Sequence, residues 1–294
     1  MTAPDARALL KKHGQRAKKS WGQNFLVDER TYRAIVDACE LTPESWAIEI
    51  GAGLGTLTYR LAEQAGHVIA VERDRDMVAI LREELGEHPR IEIAEANALT
   101  YDYAAVAARA GSLPSVAGNL PYQIASPILF RLLDARAHLA RMVIMLQREM
   151  ADRIVAAPAT SEYGALSAMV RMYGEAKLVC RVPAGAFIPA PRVASAVLRV
   201  TPFPGGRTRV PVVDVALFSQ VVHAAFNQRR KTLRNALKAV FEAEPLDAAL
   251  SAVKIDGQRR GETLSVEEFG ALTDGIAAAR GTTAVAAPRS TDDA

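Results

Sequence analysis

The chain is 294 residues long, half of its residues are hydrophobic, and its formal net charge is +3. This length supports one large domain and a smaller one, each with its own core, and this composition excludes a disordered or fibrous protein. Two cysteines without metal-ligand spacing support neither a disulfide framework nor a metal site, and no apolar run reaches the roughly 18 residues of a membrane span, so we expect a cytoplasmic protein.

The first half of the chain alternates predicted strands with predicted helices. Apolar runs predict strands over 46–50, 67–72, 90–95, 114–118 and 141–147. Helical periodicity follows a cap at Asp28 and recurs over 56–65, 74–85 and 124–133. Such alternation predicts an α/β fold with a parallel, doubly wound sheet.

The second half changes character. Two segments with strand character, 176–182 and 194–200, lie on either side of a turn-rich stretch, and only helices are predicted from residue 213 onward, over 213–226, 229–242, 246–252 and 265–279. This shift indicates a domain boundary. We therefore expect a basic tail over 1–20, an α/β catalytic domain over 21–203, a smaller all-helical domain over 210–280 and a disordered tail over 281–294.

A glycine-rich turn follows the first of the alternating strands. Gly51, Gly53 and Gly55 are separated by single residues, and the missing Cβ atoms let the backbone approach a nucleotide-like ligand. Glu72, at the end of the next strand, supplies a carboxylate suited to two ribose hydroxyls. The spacing differs from the G-x-G-x-x-G of dinucleotide sites, so it favours a mononucleoside ligand. The alternative is a tight turn with a surface glutamate.

Asn97 follows the strand predicted over 90–95. In open α/β sheets, ligands bind beyond the carboxyl ends of the strands. The side-chain amide can accept from the amine of an adenine and donate to a ring nitrogen. As an alternative, a loop asparagine is more often a turn former.

The most specific motif is Asn119-Leu120-Pro121-Tyr122, at the end of the fourth strand. Acceptors on the Asn119 side chain and on the Leu120 or Pro121 carbonyl can bind both hydrogens of an exocyclic amine, which turns its lone pair toward a methyl donor. Such alignment lowers the barrier without a strong base. Tyr122 can stack on a base that has left its helix. The alternative is an ordinary Asn-x-Pro turn with a packed tyrosine.

Phe187 begins a proline-rich segment that reads Phe-Ile-Pro-Ala-Pro-Arg-Val. On a stiff loop, its ring would be placed to sandwich a flipped base against Tyr122. Core packing is an equally good interpretation of this residue.

Basic residues concentrate near the N-terminus and in a second cluster: Arg229, Arg230, Lys231, Arg234 and Lys238. On a helix over 229–242, Arg230, Arg234 and Lys238 would lie on one face, opposite a buried apolar face. A basic stripe of this kind suits contacts with nucleic-acid phosphates. The alternative is a solvated charged face.

Together these segments resemble the KsgA/RsmA family and its Erm and Dim1 relatives. The resemblance covers about residues 18–275 and rests on 22–26, 49–55, 119–122, 187–195 and 226–235. It implies a Rossmann-like class I methyltransferase sheet with a smaller all-helical C-terminal domain. It also implies transfer of methyl groups from S-adenosylmethionine to N6 of two adjacent adenines in the 3′-terminal hairpin loop of 16S ribosomal RNA, in the small ribosomal subunit. A monomer that binds neither DNA nor a membrane is the further expectation.

The resemblance also implies site residues. It assigns S-adenosylmethionine binding to Asn24, Leu26, Gly51, Gly53, Glu72, Asn97 and Asn119. From their chemistry, we expect catalysis by Asn119, Leu120, Pro121, Tyr122 and Phe187, and RNA binding by the second basic cluster. Two positions depart from the family pattern, which usually has Asp at position 97 and Asn at position 123, where this chain has Asn97 and Gln123. Asn97 keeps an acceptor without the charge, and we expect activity to survive.

Three other interpretations remain. One is an Erm-type methyltransferase acting on large-subunit RNA, which would share the catalytic motifs. Another is a non-catalytic ribosome-assembly or transcription factor that keeps the fold and binds nucleic acid, against which the intact Asn-Leu-Pro-Tyr motif argues. The third is an NAD-dependent dehydrogenase, which the glycine spacing disfavours.

Overall fold

A computed structural model describes residues 4–15, 17–18 and 23–281. Within these residues the chain divides into two compact units. The sheet unit holds the chain up to Val155 together with Tyr173–Arg207, and the helical unit holds Ala156–Met172 together with the chain from Thr208 onward. The expected tail over 281–294 lies outside the described residues except for Gly281. Of the expected tail over 1–20, the described residues include a helix, Ala6–Lys12, in which Ala6 and Leu9 are buried.

The expected domain boundary near residue 203 thus differs from the structure, because Ala156–Met172 belongs to the helical unit. Hydrogen bonds account for the difference. Ala159 N donates to Glu262 O at 2.8 Å, and the Arg229 guanidinium donates to Ser161 O at 2.7 Å. This segment is therefore hydrogen-bonded to residues about 70 to 100 positions away in the sequence. Local periodicity of apolar residues does not reveal such distant contacts.

The strands of the sheet unit are two to nine residues long, and the longest, Gly174–Val182, contains an irregularity between Leu178 and Cys180. They are β1 (Phe25–Leu26), β2 (Trp46–Ile50), β3 (His67–Glu72), β4 (Ile91–Glu95), β5 (Ser115–Asn119), β6 (Arg141–Gln147), β7 (Gly174–Val182), β8 (Phe187–Ile188) and β9 (Ser195–Pro202). The first seven helices of the chain are α1 (Ala6–Lys12), α2 (Glu29–Ala38), α3 (Thr56–Gln64), α4 (Arg75–Leu85), α5 (Tyr103–Ala110), α6 (Ala125–Asp134) and α7 (Arg148–Val155).

Seven of these strands form one sheet in the order β4-β3-β2-β5-β6-β9-β7. From β4 to β6 all pairs are parallel, as the alternation of strands and helices predicts, whereas β9 lies antiparallel between β6 and β7. The sheet is therefore mixed. Nearly continuous apolar runs, buried along most of their length, form β2, β3 and β6, as expected of central strands in such a sheet.

Caps and a glycine determine where the helices around the sheet begin. The Asp28 carboxylate accepts from Thr31 N at the start of α2, and the Asp74 carboxylate accepts from Asp76 N at the start of α4. Gly55 precedes α3 with φ of 75°. A Cβ at this position would lie 2.5 Å from Leu85 Cδ1, so only glycine allows α3 to leave the turn this close to α4.

A separate two-residue ladder joins β1 to β8, with Leu26 opposite Phe187. It connects the N-terminal segment to the proline-rich segment, which are more than 160 residues apart. Neither strand is long enough to show an alternating pattern, so the sequence analysis did not predict the pair.

The helical unit contains most of α8 (Ala165–Tyr173) and all of α9 (Val215–Asn227), α10 (Leu233–Leu237), α11 (Ala243–Ala252) and α12 (Val266–Ala279). The prediction of one helix over 229–242 is wrong. The chain turns over 228–231, Thr232 is extended with ψ of 154°, and Leu233 N donates to Arg259 O at 2.6 Å. Among the described residues, no helix combines the length and apolar character needed to cross a membrane.

Candidate active site

Two adjoining pockets lie where β2, β3 and β5 end, and Gly51, Glu72 and Pro121 line both of them. The first, here called the glycine pocket, brings together most of the predicted site residues: Asn24, Leu26, Gly51, Gly53, Glu72, Asn119, Leu120, Pro121 and Tyr122. The second, here called the Asn97 pocket, also contains Arg73, Gln123 and Ile124. The carboxyl ends of neighbouring parallel strands thus place residues distant in sequence around one site.

The Glu72 carboxylate is held by three backbone N–H groups. One oxygen accepts from Gly53 N at 2.9 Å, and the other accepts from Arg73 N at 2.7 Å and Asp74 N at 2.8 Å. These bonds fix the orientation of the carboxylate before any ligand arrives. A carboxylate has about four lone-pair sites, so the oxygen that binds Gly53 N can still accept from a ribose hydroxyl.

The glycine turn itself is a backbone cradle. Gly51 and Gly53 have φ of 71° and 55°, values that favour glycine. Gly51 N donates to Val71 O at 2.9 Å, which ties the turn to β3. A ligand in the glycine pocket would lie against this backbone, with the Glu72 carboxylate beside it.

The side chain of Asn119 has a fixed orientation. Its Nδ2 donates to Asn24 O at 2.9 Å, so this bond assigns the two ends of the amide and leaves Oδ1 as an acceptor. The backbone beyond it is also held, because Leu120 N donates to Met145 O on β6 at 3.0 Å. The N-terminal segment thereby determines which way the acceptor of Asn119 points.

The two aromatic residues of the prediction have different environments. Tyr122 is half-buried and lines the glycine pocket, and burial raises the pKa of its phenol, which therefore stays neutral. Phe187 is 3% exposed and belongs to the hydrophobic core of the sheet unit. The structure does not bring Phe187 into either pocket, so stacking on a base would require its ring to leave the core.

Glu49 is a pocket residue that the sequence analysis missed. It is 3% exposed, lines the glycine pocket and accepts a hydrogen bond from the Thr58 hydroxyl. Burial raises the pKa of Glu49 to about 8, and the nearby Glu72 charge adds to the effect. A lone acidic residue inside the apolar strand β2, two residues before Gly51, was the available signal.

Asn97 forms a turn and also lines a pocket. Its Oδ1 accepts from Leu99 N at 3.1 Å, which is the turn-forming role expected of a loop asparagine. The amide nitrogen remains available as a donor within the pocket. Gln123 lines the same pocket, so both departures from the family pattern lie at one location.

The second basic cluster divides into two groups. Arg229 donates to the carbonyls of Ser161 and Tyr163 and pairs with Glu262, and Arg234 pairs through two nitrogens with Asp247. Arg230, Lys231 and Lys238 are exposed. The predicted stripe along one helix is wrong, since Arg230 lies in the turn that precedes α10.

This combination of a largely parallel sheet, a glycine turn beside a ribose-type carboxylate and an Asn-Leu-Pro-Tyr motif after β5 defines a Rossmann-like class I methyltransferase. A family model described as "Ribosomal RNA adenine dimethylase" matches residues 14–277. The chain belongs to this family.

Relatives at high identity carry one description, "Ribosomal RNA small subunit methyltransferase A". The protein of Myxococcus xanthus is 47% identical over 90% of this chain and 93% of its own length. That of Clostridium acetobutylicum is 41% identical over 92% of this chain and 98% of its own. The resemblance found in the motifs is thereby confirmed along most of the chain.

Solved structures confirm the fold class. A dimethyladenosine transferase from Plasmodium falciparum superimposes with a TM-score of 0.71 at 22% identity, over 84% of this chain and 95% of that one. The 23S rRNA methyltransferase ErmE superimposes with a TM-score of 0.65 at 26% identity, over 86% of this chain and 99% of that one.

Proposed function

We propose that this chain transfers methyl groups from S-adenosylmethionine to N6 of two adjacent adenines in the 3′-terminal hairpin loop of 16S ribosomal RNA, within the small ribosomal subunit. It is a ribosomal RNA adenine dimethyltransferase, in agreement with its family and with relatives described as small subunit methyltransferases. Because its substrate is the ribosome, we place it in the cytoplasm. Its monomeric state and its lack of DNA binding stay predictions.

The residues of the two pockets fit S-adenosylmethionine, which supplies an electrophilic methyl group when bound. Glu72 offers the ribose a carboxylate that three N–H groups already orient. The amide of Asn97 lies in the adjoining pocket, where it would contact the adenine. Glu49 offers a buried carboxyl group to the methionyl ammonium. The positive charge of the ammonium would favour the ionised form of this carboxyl group, so the two would form an ion pair.

The observation that carries the proposal is the Asn119–Asn24 hydrogen bond. Because Nδ2 is bound to a backbone carbonyl, Oδ1 is the end of the amide that meets the substrate. Oδ1 and the carbonyl of Leu120 or Pro121 would accept the two N6 hydrogens and turn the nitrogen lone pair toward the methyl group. As the new N–C bond forms and the S–C bond breaks, one N6 proton passes to solvent.

Tyr122 would stack on the extruded adenine, because its half-buried ring lines the glycine pocket beside Asn119. Every base has a planar face, so stacking on an aromatic ring does not depend on the RNA sequence around the base. The role predicted for Phe187 would add a second ring only if Phe187 left the core.

In the helical unit, we assign phosphate contacts to Arg230, Lys231 and Lys238, which are exposed. Arg229 and Arg234 were predicted in the same role. Their hydrogen bonds to the carbonyl of Ser161 and to Asp247 support a role in holding the unit together.

Labelled methyl transfer to immature small subunits, with mapping of the product by mass spectrometry, tests this function. We expect dimethyladenine at two adjacent positions, and no product from the Asn119→Ala variant. Methylation of large-subunit RNA instead would indicate the Erm-type activity. Binding of cofactor and RNA without transfer would indicate an assembly factor.

A further inference from the structure

The catalytic loop is connected to β9 through a pair of hydroxyl groups. The hydroxyls of Tyr122 and Ser195 share a hydrogen bond with an O–O distance of 2.7 Å. Ser195 is the first residue of β9 and is fully buried, at 0% exposure. No role for this serine follows from the sequence motifs or from the function proposed above.

Ser195 is held more firmly than Tyr122. It lies opposite Gln147 of β6 on one side and Val182 of β7 on the other, so its backbone is inside the sheet. Arg148 N also donates to the carbonyl of Ala194, the residue before it, at 3.0 Å. The backbone that carries the serine hydroxyl is therefore fixed, and the tyrosine reaches this hydroxyl from a loop.

The backbone of the loop is held at Leu120, whose N–H binds β6, and by the restricted torsion of Pro121. These contacts do not determine where the Tyr122 ring lies, because its side chain still turns about the χ1 torsion. In the part of the chain that the structure describes, the Ser195 hydroxyl is the one hydrogen-bond partner of the Tyr122 phenol. The phenol oxygen lies on the long axis of the ring, so the bond fixes the direction of that axis and with it the position of the ring.

We propose that Ser195 is a positioning residue for methyl transfer: by holding the Tyr122 hydroxyl, it sets the position of the ring on which the target adenine stacks. This inference rests on the proposed function, because it concerns the adenine that Tyr122 receives. Ser195 itself lines neither the glycine pocket nor the Asn97 pocket, so its effect would pass through the phenol of Tyr122.

A double-mutant cycle tests the coupling. The cycle uses Ser195→Ala, Tyr122→Phe and the double variant, each measured for methyl transfer to small subunits and for binding of S-adenosylhomocysteine. We expect either single change to lower kcat/KM about fivefold to tenfold, the effect of one neutral hydrogen bond, and the double variant to be no worse. Cofactor affinity should stay within twofold in all three.

Ser115→Ala is the matched control. Ser115 is also a buried serine at the first position of a strand, where its hydroxyl donates to Cys39 O at 3.2 Å. We expect Ser115→Ala to lower the melting temperature as Ser195→Ala does, but to leave kcat/KM unchanged. If Ser195→Ala lowers kcat/KM by the same factor with and without the Tyr122 hydroxyl, or does not lower it, the inference is overturned.

A second measurement separates this inference from the function on which it rests. Small subunits assembled with 2-aminopurine at one target position report stacking through quenched fluorescence. We expect Ser195→Ala and Tyr122→Phe to reduce the quenching equally, with no further loss in the double variant. If the unaltered enzyme quenches the fluorescence but transfers no methyl group, the proposed function fails while this cycle still decides the role of Ser195.

Discussion

Replacing Glu49 with glutamine should change how the stability of the protein depends on pH. Burial raises the Glu49 pKa from the ordinary value of 4.5 to about 8. Because one pH unit corresponds to about 1.4 kcal/mol, ionising this carboxyl group in the folded protein costs up to about 4 to 5 kcal/mol. The folded-state pKa of Glu49 lies above the unfolded one. The stability that the protonated carboxyl group allows is therefore fully present below pH 4.5 and is lost as the pH rises to about 8.

The Glu49→Gln variant keeps an acceptor for Thr58 and has no group to ionise. We expect its free energy of unfolding, measured by urea denaturation from pH 5 to pH 8.5, to lack most of the decline shown by the unaltered chain. The exposed Glu63 of the neighbouring helix α3 provides the control, Glu63→Gln, which should keep that decline. Parallel stability curves for the Glu49→Gln variant and the unaltered chain would refute the reasoning.

The same carboxyl group makes cofactor binding release a proton. At pH 7 a group with a pKa of about 8 is mostly protonated, and an entering ammonium favours its ionised form. Calorimetry of S-adenosylhomocysteine binding in buffers of different ionisation enthalpy should therefore show close to one proton released, and none in Glu49→Gln.

Other substitutions separate binding from chemistry. Asn119→Ala should lower methyl transfer at least about 100-fold, because the amine loses its alignment, while calorimetry shows cofactor affinity within threefold of the unaltered chain; an equal loss in both would contradict this. Glu72→Gln should weaken S-adenosylhomocysteine binding about 10-fold to 100-fold, since hydrogen bonds to a charged group are lost; unchanged affinity would remove Glu72 from the site. Arg230→Ala and Lys238→Ala should each lower the slope of log affinity against log salt concentration for RNA binding by about 1, the loss of one phosphate contact. Arg234→Ala should mainly lower the melting temperature, because it leaves Asp247 unpaired.

The parts of the fold that could be predicted are those with a local signal. The limits of β2, β3 and β6 agree with the predicted ranges, because each is an apolar run that ends at a turn or a charged residue. The glycine turn and the Asn-Leu-Pro-Tyr motif likewise consist of adjacent residues, and their placement at strand ends brought Glu72 and Asn119 into one pocket.

What could not be predicted depends on distant partners. The predicted helix over 229–242 followed the apolar spacing, but Arg259 O and Gly257 O take the N–H groups of Leu233 and Arg234 and redirect the chain. Which arginines remain open to solvent depends on carboxylates such as Asp247. The apolar neighbours of Glu49 in β2 indicate its burial, but the added effect of the Glu72 charge on its pKa depends on a residue 23 positions away.

The hydrogen bond from Asn119 to Asn24 makes activity depend on docking of the segment that contains Asn24 when the chain folds. The acceptor that receives the substrate amine acquires its direction only when a segment from the opposite part of the chain has docked, through the short β1–β8 ladder. A chain in which this segment has not docked would keep the seven-stranded sheet and the Glu72 carboxylate. It would present a freely turning amide to the adenine, so formation of the sheet and catalytic competence are separable steps in this protein.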